Sequence, residues 1–157
     1  MTQTQDLVVK LLAAKALVAT AESCTGGMVA AAITDIAGSS AVFDRGFVTY
    51  SNEAKSKMLG VPAALIARHG AVSGEVARSM AEGALAHSNA TLAVAITGIA
   101  GPTGGSAEKP VGLVHFACAV KNGTTKHERR IFPGDRAAIR IAARDFALQM
   151  LGNALSG

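Results

Sequence analysis

The stretch LVATAESCTGGMVAAAITDI, Leu17 to Ile36, decides the fold. Its first half favours a β-strand and ends in Ser-Cys-Thr-Gly-Gly. Its second half, from Met28 onward, is apolar and rich in alanine, which predicts a buried helix. A strand that passes through a glycine-rich loop into a helix is typical of layered α/β proteins. The stretch therefore predicts an α/β domain.

The rest of the chain extends this alternation of strands and helices. Helices are predicted at residues 5–15, 28–36, 52–59, 62–69, 76–88 and 136–151, and strands at 17–23, 42–51, 91–97, 111–120 and 126–133. Asn122-Gly123, between the last two strands, is the strongest hairpin signal. We therefore predict a single domain over residues 1–157. It is a layered α/β/α sandwich with a mixed, mostly parallel sheet and one C-terminal hairpin.

Charge and hydropathy limit the classes of partner. The net charge is +4, and seven Lys and Arg residues lie between Lys121 and Arg144. With one Tyr and no Trp there is little to stack on bases, so a phosphate-bearing small molecule is favoured over nucleic acid. A solvated helix face remains the alternative reading of this charge. No apolar stretch is long enough for a bilayer and the N-terminus does not resemble a secretory signal, so we expect a cytoplasmic protein without a membrane partner.

Cysteine and histidine usage argues against a metal site. The two cysteines, Cys24 and Cys118, are far apart, and none of the four histidines stands in a metal-binding motif. Cys118 fits a small buried apolar residue. We therefore expect neither a metal nor another cofactor.

Three loops that leave predicted strands are rich in hydroxyl groups or glycine: SCTGG, the segment around YSN, and TGIAGPTGG. Ligands of layered α/β domains bind beyond the carboxyl ends of the strands. SCTGG alone is weak evidence, because Ser and Gly are ordinary turn residues. Its place before a helix predicts free N–H groups that suit a phosphate or an oxyanion. It matches neither a P-loop nor the GxSxG nucleophile motif.

Hydrolysis at these loops requires a nucleophile and a base. No histidine is near either glycine loop in the sequence, and the lysines near the three loops are Lys55, Lys57 and Lys109. A lysine serves as a base when desolvation or a nearby cation lowers its pKa. Lys55 follows Tyr50 by five residues, and Asn52 to Lys55 is one predicted helical turn, which could direct the lysine back to the strand end. A solvated helix lysine is the simpler interpretation of the spacing alone.

Several motifs together resemble the CinA C-terminal domain family. They are TAESCTGG, ITDIAGSSAVFDRGFVTYSNEAK, HGAVS, ITGIAGPTGGSAEKPVGLV and FPGDR, and they span about Thr20 to Arg144 in order. The chain is similar to the stand-alone amidases of this family. The resemblance implies deamidation of nicotinamide mononucleotide to nicotinate mononucleotide and ammonia, a step of pyridine-nucleotide salvage. It also implies a metal-independent serine hydrolase with a lysine base, and a homodimer or larger homo-oligomer.

The resemblance also implies the site residues. Ser40 is preferred as nucleophile, with Lys55 as base and Tyr50 as proton relay or orienting group, and Ser23 would help to stabilise the oxyanion. The choice between Ser40 and Ser23 as nucleophile stays open. The remaining expected substrate or oxyanion residues are Thr25, Gly26, Thr97, Gly98 and Arg136.

Arg136 is singled out because it lies in the first turn of the last predicted helix, where a cation opposes the helix dipole. We expect it to bind the phosphate, and a surface ion pair with Asp135 or Glu128 is the alternative.

The same features are compatible with two other functions of the protein. One is a non-catalytic nucleotide-binding module linked to competence or DNA damage. Direct DNA binding is less favoured, because no reader motif is present.

Overall fold

The computed structural model describes residues 1–156, which form one five-stranded sheet. The strands are β1 (Val18–Glu22), β2 (Phe43–Val48), β3 (Leu92–Gly98), β4 (Leu113–Val120) and β5 (Thr125–Ile131). Their order across the sheet is β2-β1-β3-β4-β5. β1 is parallel to both β2 and β3, whereas β3–β4 and β4–β5 are antiparallel. The predicted mixed sheet and C-terminal hairpin are confirmed.

Six α-helices cover both faces of the sheet. They are α1 (Gln3–Ala13), α2 (Met28–Thr34), α3 (Asn52–Leu59), α4 (Ala63–His69), α5 (Gly74–Ala86) and α6 (Arg136–Ser156). On one face α1, α2 and α6 pack on the larger side chains of the strands, such as Val94 and Phe116. On the other face α3, α4 and α5 pack on alanines of the same strands, such as Ala93 and Ala95. This is the predicted α/β/α sandwich.

The two terminal helices differ from their predicted bounds: α1 is shifted by two residues toward the N-terminus, and α6 is longer. α1 begins two residues earlier because Thr2 and Gln5 form a reciprocal capping box, in which each side chain accepts the other's backbone N–H. α6 continues past Leu151 to Ser156. Its buried face continues as well, because Ala154 and Leu155 pack against the core. Within residues 1–156, no helix combines the length and apolarity needed to cross a membrane.

The parallel strands give the sheet two different edges. The carboxyl ends of β1, β2 and β3 lie at one edge and lead into the loops that begin at Ser23, Thr49 and Ile99. Ser40 lies in a short 3₁₀ turn, Ser39–Ala41, before the amino end of β2. The six residues of β2 span about 17 Å, so Ser40 lies at the opposite edge of the sheet from these loops.

Candidate active site

Lys55 is buried at the carboxyl edge, with 1% of its surface exposed. Ser51 caps α3 by accepting the Ala54 N–H, which starts the helix one turn before Lys55. The lysine side chain runs back beneath the end of β2. Its Nζ lies 3.0 Å from Ser23 Oγ and donates to the Thr49 carbonyl oxygen at 2.9 Å. A longer contact of 3.4 Å reaches the Tyr50 carbonyl oxygen.

Burial lowers the pKa of Lys55, because desolvation disfavours the ammonium form. No carboxylate lies among its hydrogen-bond partners in residues 1–156. A neutral amine has two N–H groups and one lone pair. The two carbonyl oxygens take the N–H groups, which leaves the lone pair for the Ser23 hydroxyl proton. The arrangement therefore suits a lysine that acts as a base toward Ser23.

Ser23 follows β1 directly and is held by its backbone. Its N–H donates to the Ile96 carbonyl oxygen at 3.0 Å, which extends the β1–β3 pairing by one residue. Its side chain is largely buried, with 8% of the residue exposed. The structure thus joins Ser23 to Lys55 rather than leaving it as a separate oxyanion residue.

The buried carboxylate of Glu22 occupies the N-terminus of α2. Glu22 accepts the Val29 N–H at 2.9 Å, the Ala30 N–H at 3.1 Å and the Thr25 hydroxyl at 2.6 Å. The expectation that the N–H groups of this helix end face a ligand is therefore wrong, because Glu22 already satisfies two of them. The three hydrogen bonds of Glu22 instead fix the loop that carries Ser23.

Thr25 and Gly26 serve the loop more than a ligand. The Thr25 hydroxyl is taken by Glu22, and the Gly26 N–H donates to the Ser23 carbonyl oxygen at 3.1 Å. Gly26 has a φ of +58°, which favours glycine. The backbone N–H groups of Cys24 and Thr25 have no acceptor within the described chain. These two N–H groups are therefore the available donors beside Ser23.

Ser40 is not brought to Lys55. It is exposed on the 3₁₀ turn at the amino edge of the sheet, whereas Tyr50 and Lys55 lie at the carboxyl edge. The structure therefore pairs Lys55 with Ser23 and not with Ser40, and the role of Ser40 as nucleophile stays a prediction. The sequence order Ser40, Tyr50, Lys55 suggested proximity, but β2 runs between the first residue and the other two.

Thr97 and Gly98 border the site through packing. Thr97 lies in β3 beside Ser23, but its hydroxyl donates to the Ala71 carbonyl oxygen at 2.8 Å and is buried. A side chain at Gly98 would collide with Val114 Cγ2 at 2.7 Å, so this glycine permits β4 to approach. Neither residue therefore has a free side-chain group that could bind a ligand.

Tyr50 and Arg136 meet at the mouth of the site. Tyr50 is 62% exposed, and its hydroxyl accepts from Arg136 Nη2 at 3.0 Å. Arg136 Nη1 donates to the Gly101 carbonyl oxygen at 2.8 Å. Asp135 instead caps α6 by accepting the Ala138 N–H. Within the described residues Arg136 has no carboxylate partner, which removes the surface ion pair as its explanation.

Sequence reasoning missed two residues of the site, Glu22 and Arg140. Arg140 Nε donates to the Cys24 carbonyl oxygen at 3.0 Å, and Nη2 to the Thr25 carbonyl oxygen at 3.4 Å. A signal existed, because Arg140 follows Arg136 by four residues and so shares its helix face. Glu22 stands in TAES directly before Ser23, but nothing local shows that its carboxylate turns into the loop.

Other reactive groups are poorly placed for catalysis. Burial raises the pKa of the Cys24 thiol to about 11 and that of Cys118 to about 12, so both remain protonated. Burial and nearby cations lower the pKa of His115 to about 4, and its Nδ1 lies 2.8 Å from Nε2 of His127. No cluster within residues 1–156 is suited to a metal ion.

A cavity of about 460 Å³ lies elsewhere, between β5 and α6. It is lined in part by Cys118, Lys126 and Phe146. Its one thiol is protonated, and the cavity holds no contact comparable to that between Ser23 and Lys55. We therefore locate the candidate site by its chemistry rather than by the size of a cavity.

Comparison with known proteins agrees with this fold. Residues 1–155 match the CinA C-terminal domain model. The chain belongs to the CinA C-terminal domain family. A relative in Escherichia coli, named nicotinamide-nucleotide amidohydrolase PncC, is 60% identical over 141 residues, which cover 90% of this chain and 86% of the relative.

Longer CinA relatives and solved structures extend the comparison. The CinA-like protein of Anaeromyxobacter dehalogenans is 56% identical over 96% of this chain but only 37% of its own length. The crystal structure of the competence/damage inducible protein CihA from Agrobacterium tumefaciens has a TM-score of 0.95 and 52% identity, and covers 99% of this chain and 94% of that one. The predicted family membership and fold are confirmed.

Proposed function

We propose that this CinA-family protein hydrolyses nicotinamide mononucleotide to nicotinate mononucleotide and ammonia. The observation that carries the proposal is the contact of 3.0 Å between Ser23 Oγ and the buried Lys55 Nζ. A serine beside a desolvated lysine is an activated nucleophile that needs no metal. The name and 60% identity of the Escherichia coli amidohydrolase support the substrate. Such a reaction returns nicotinamide nucleotides to the pyridine-nucleotide pool.

In the first half-reaction, Ser23 attacks the amide carbon while neutral Lys55 takes the hydroxyl proton. The C=O bond opens to an oxyanion, and we assign its stabilisation to the N–H groups of Cys24 and Thr25, which have no backbone acceptor in residues 1–156. Protonated Lys55 then gives its proton to the amide nitrogen as the C–N bond breaks. Ammonia leaves, and the nicotinate carbonyl remains esterified to Ser23.

In the second half-reaction, water replaces ammonia. Lys55, neutral again, takes a proton from the water as the oxygen attacks the ester carbon. The ester bond to Ser23 breaks, and Lys55 returns the proton to Ser23 Oγ. Nicotinate mononucleotide is released as the acid, which loses its proton to water, and both side chains regain their starting states.

Arg136 and Tyr50 are proposed to bind the nucleotide. A guanidinium has five N–H donors, and Arg136 uses one on Gly101 and one on Tyr50. The remaining donors can bind a phosphate in the paired geometry that arginine favours. The Tyr50 hydroxyl orients the guanidinium, because its contact with Arg136 joins the loop after β2 to α6.

Ammonia release from nicotinamide mononucleotide by the purified protein tests this function. We expect one ammonia and one nicotinate mononucleotide for each substrate consumed, with the same rate after treatment with a chelator. Nicotinate mononucleotide, which has no amide, is the control and should yield no ammonia. Binding of the substrate without ammonia release would contradict the proposal and favour the nucleotide-binding module instead.

A further inference from the structure

Three arginines stand one helical turn apart on α6 and bind three different parts of the protein. Arg136 contacts the Tyr50 hydroxyl and the Gly101 carbonyl oxygen. Arg140 contacts the carbonyl oxygens of Cys24 and Thr25. Arg144 pairs with its neighbour Asp145 on the surface. Of these three side chains, only that of Arg140 therefore reaches the segment that follows Ser23.

We propose that Arg140 is a positioning residue that holds the nucleophile loop, Ser23 to Gly26, in its reactive conformation. The inference rests on the proposed function for its kinetic consequence, but its structural part does not. Neither of the hydrogen bonds of Arg140 goes to Ser23 Oγ or to Lys55. Arg140 therefore acts through the backbone of the loop rather than on the reacting atoms.

The two hydrogen bonds of Arg140 set the orientation of two successive peptide groups. Within residues 1–156, the Cys24 carbonyl oxygen accepts from Arg140 alone, whereas that of Thr25 also accepts the Met28 N–H at 3.1 Å. A peptide group is planar and trans, so fixing its carbonyl also fixes the N–H on its opposite side. Arg140 thereby directs the Thr25 N–H, one of the two free donors beside Ser23.

The second peptide group, between Thr25 and Gly26, links Arg140 to the backbone of Ser23. The carbonyl of Thr25 shares its peptide group with the Gly26 N–H, which donates to the Ser23 carbonyl oxygen. Donation to a carbonyl also polarises the N–H of the same peptide group and strengthens it as a donor. Arg140 therefore stabilises the internal hydrogen bond that closes the loop over Ser23.

The loop needs such a constraint because it contains two adjacent glycines in the left-handed region. Gly26 and Gly27 have φ of +58° and +106°. Glycine loses more conformational freedom on ordering than any other residue, so this segment is costly to fix. Glu22 holds it from the buried side through Thr25, and Arg140 holds it from the other side. A Cβ at Gly26 would lie 3.4 Å from Arg140 Nη2, so glycine also permits the guanidinium to approach.

The test compares Arg140→Ala and Arg140→Lys with Arg144→Ala as the matched control on the same helix. Hydrogen–deuterium exchange of the peptide that spans residues 22–28 reports the loop directly and requires no activity. The kcat and KM for ammonia release from nicotinamide mononucleotide report the consequence. Arg140→Lys keeps the charge but cannot bridge two carbonyl oxygens in a planar fork, and it serves if the alanine variant does not fold.

We expect Arg140→Ala to speed exchange at the amides of Gly26 and Met28, both of which donate to loop carbonyls. Its kcat should fall about a hundredfold, with KM within about threefold, because a small misplacement of reacting groups has that effect. Arg140→Lys should lie between this variant and the unsubstituted protein. Arg144→Ala should match the unsubstituted protein in both measurements.

Two results would overturn the inference. One is exchange in residues 22–28 that is the same in Arg140→Ala and Arg144→Ala. The other is faster exchange with an unchanged kcat, or a loss confined to KM, which would make Arg140 a substrate-binding residue. If the unsubstituted protein releases no ammonia, the proposed function fails, and the exchange comparison still decides whether Arg140 holds the loop.

Discussion

Ser23 and Ser40 lie in similar sequences but in opposite surroundings. Both stand in short turns within three residues of a glycine, in SCTGG and GSS. Ser23 lies at the carboxyl edge of the sheet, largely buried, against a lysine amine. Ser40 lies at the amino edge and is exposed. A turn therefore becomes a reactive site through the edge of the sheet it occupies, because only at the carboxyl edge do the loops of three parallel strands converge.

Lys55 contacts Ser23 and not Ser40, so its replacement removes the main difference between the surroundings of the two serines. We expect Lys55→Met to lower kcat for ammonia release at least about a thousandfold, since it removes the base and keeps the apolar bulk. Lys57→Met is the control, because Lys57 is exposed and pairs with Glu53 at the surface. The control should retain near-normal kcat. More than about a tenth of the activity in Lys55→Met would remove Lys55 from the mechanism.

The lowered pKa of Lys55 predicts how activity and stability change with pH. Activity requires the neutral amine, so kcat/KM should rise about tenfold per pH unit below the pKa of Lys55. The rise in kcat/KM should level off at a pH below about 10.4, the ordinary pKa of lysine. The unfolded chain binds more protons at this residue than the folded one, so its contribution to stability increases as pH rises between these two pKa values.

Urea unfolding over this pH range measures the same shift without substrate. The free energy of unfolding of Lys55→Met minus that of the unsubstituted protein should be largest at low pH and should decrease as pH rises, because only the unsubstituted protein gains stability from the lysine. A pH-independent difference, together with a flat pH–rate profile, would mean that Lys55 keeps an ordinary pKa in the folded protein.

The sequence predicted features that depend on local pattern and missed those that depend on topology. Strands, helices and the Asn122-Gly123 hairpin follow from periodicity and turn chemistry, and all are present. Arg136 was singled out from its place in a first turn. The preference for Ser40 rests on the family resemblance and on its place before the strand that leads to Lys55, and this strand, β2, separates the two residues in the structure. Arg140 lies more than 100 residues from the carbonyl groups it binds, so its spacing from Arg136 indicates a shared helix face but not this contact.

Arg136 tests whether the mouth of the Ser23 site recognises phosphate. Arg136→Lys should lower kcat/KM for nicotinamide mononucleotide about tenfold or more, because lysine cannot reproduce the paired donors. The loss should be smaller for nicotinamide riboside, which lacks the phosphate. Thermal unfolding should change little by comparison. Equal losses on the two substrates would assign Arg136 to the amide chemistry or to the fold.

Tyr50 should have the smallest effect of the residues at this edge. Its one side-chain hydrogen bond is to Arg136, so Tyr50→Phe should raise KM about fivefold and leave kcat nearly unchanged. Steady-state kinetics with nicotinamide mononucleotide measures both constants. A fall in kcat of about a hundredfold at constant KM would instead make Tyr50 a proton relay.

The most direct test of Ser23 as the nucleophile is the kcat for ammonia release in Ser23→Ala and Ser40→Ala, measured side by side on proteins with matching circular dichroism. We expect Ser23→Ala to lose at least about a thousandfold in kcat, because the ester forms on Ser23 Oγ. The kcat of Ser40→Ala should stay within about twofold of that of the unsubstituted protein. Near-normal turnover in Ser23→Ala, with activity lost in Ser40→Ala, would contradict the assignment of Ser23 as nucleophile.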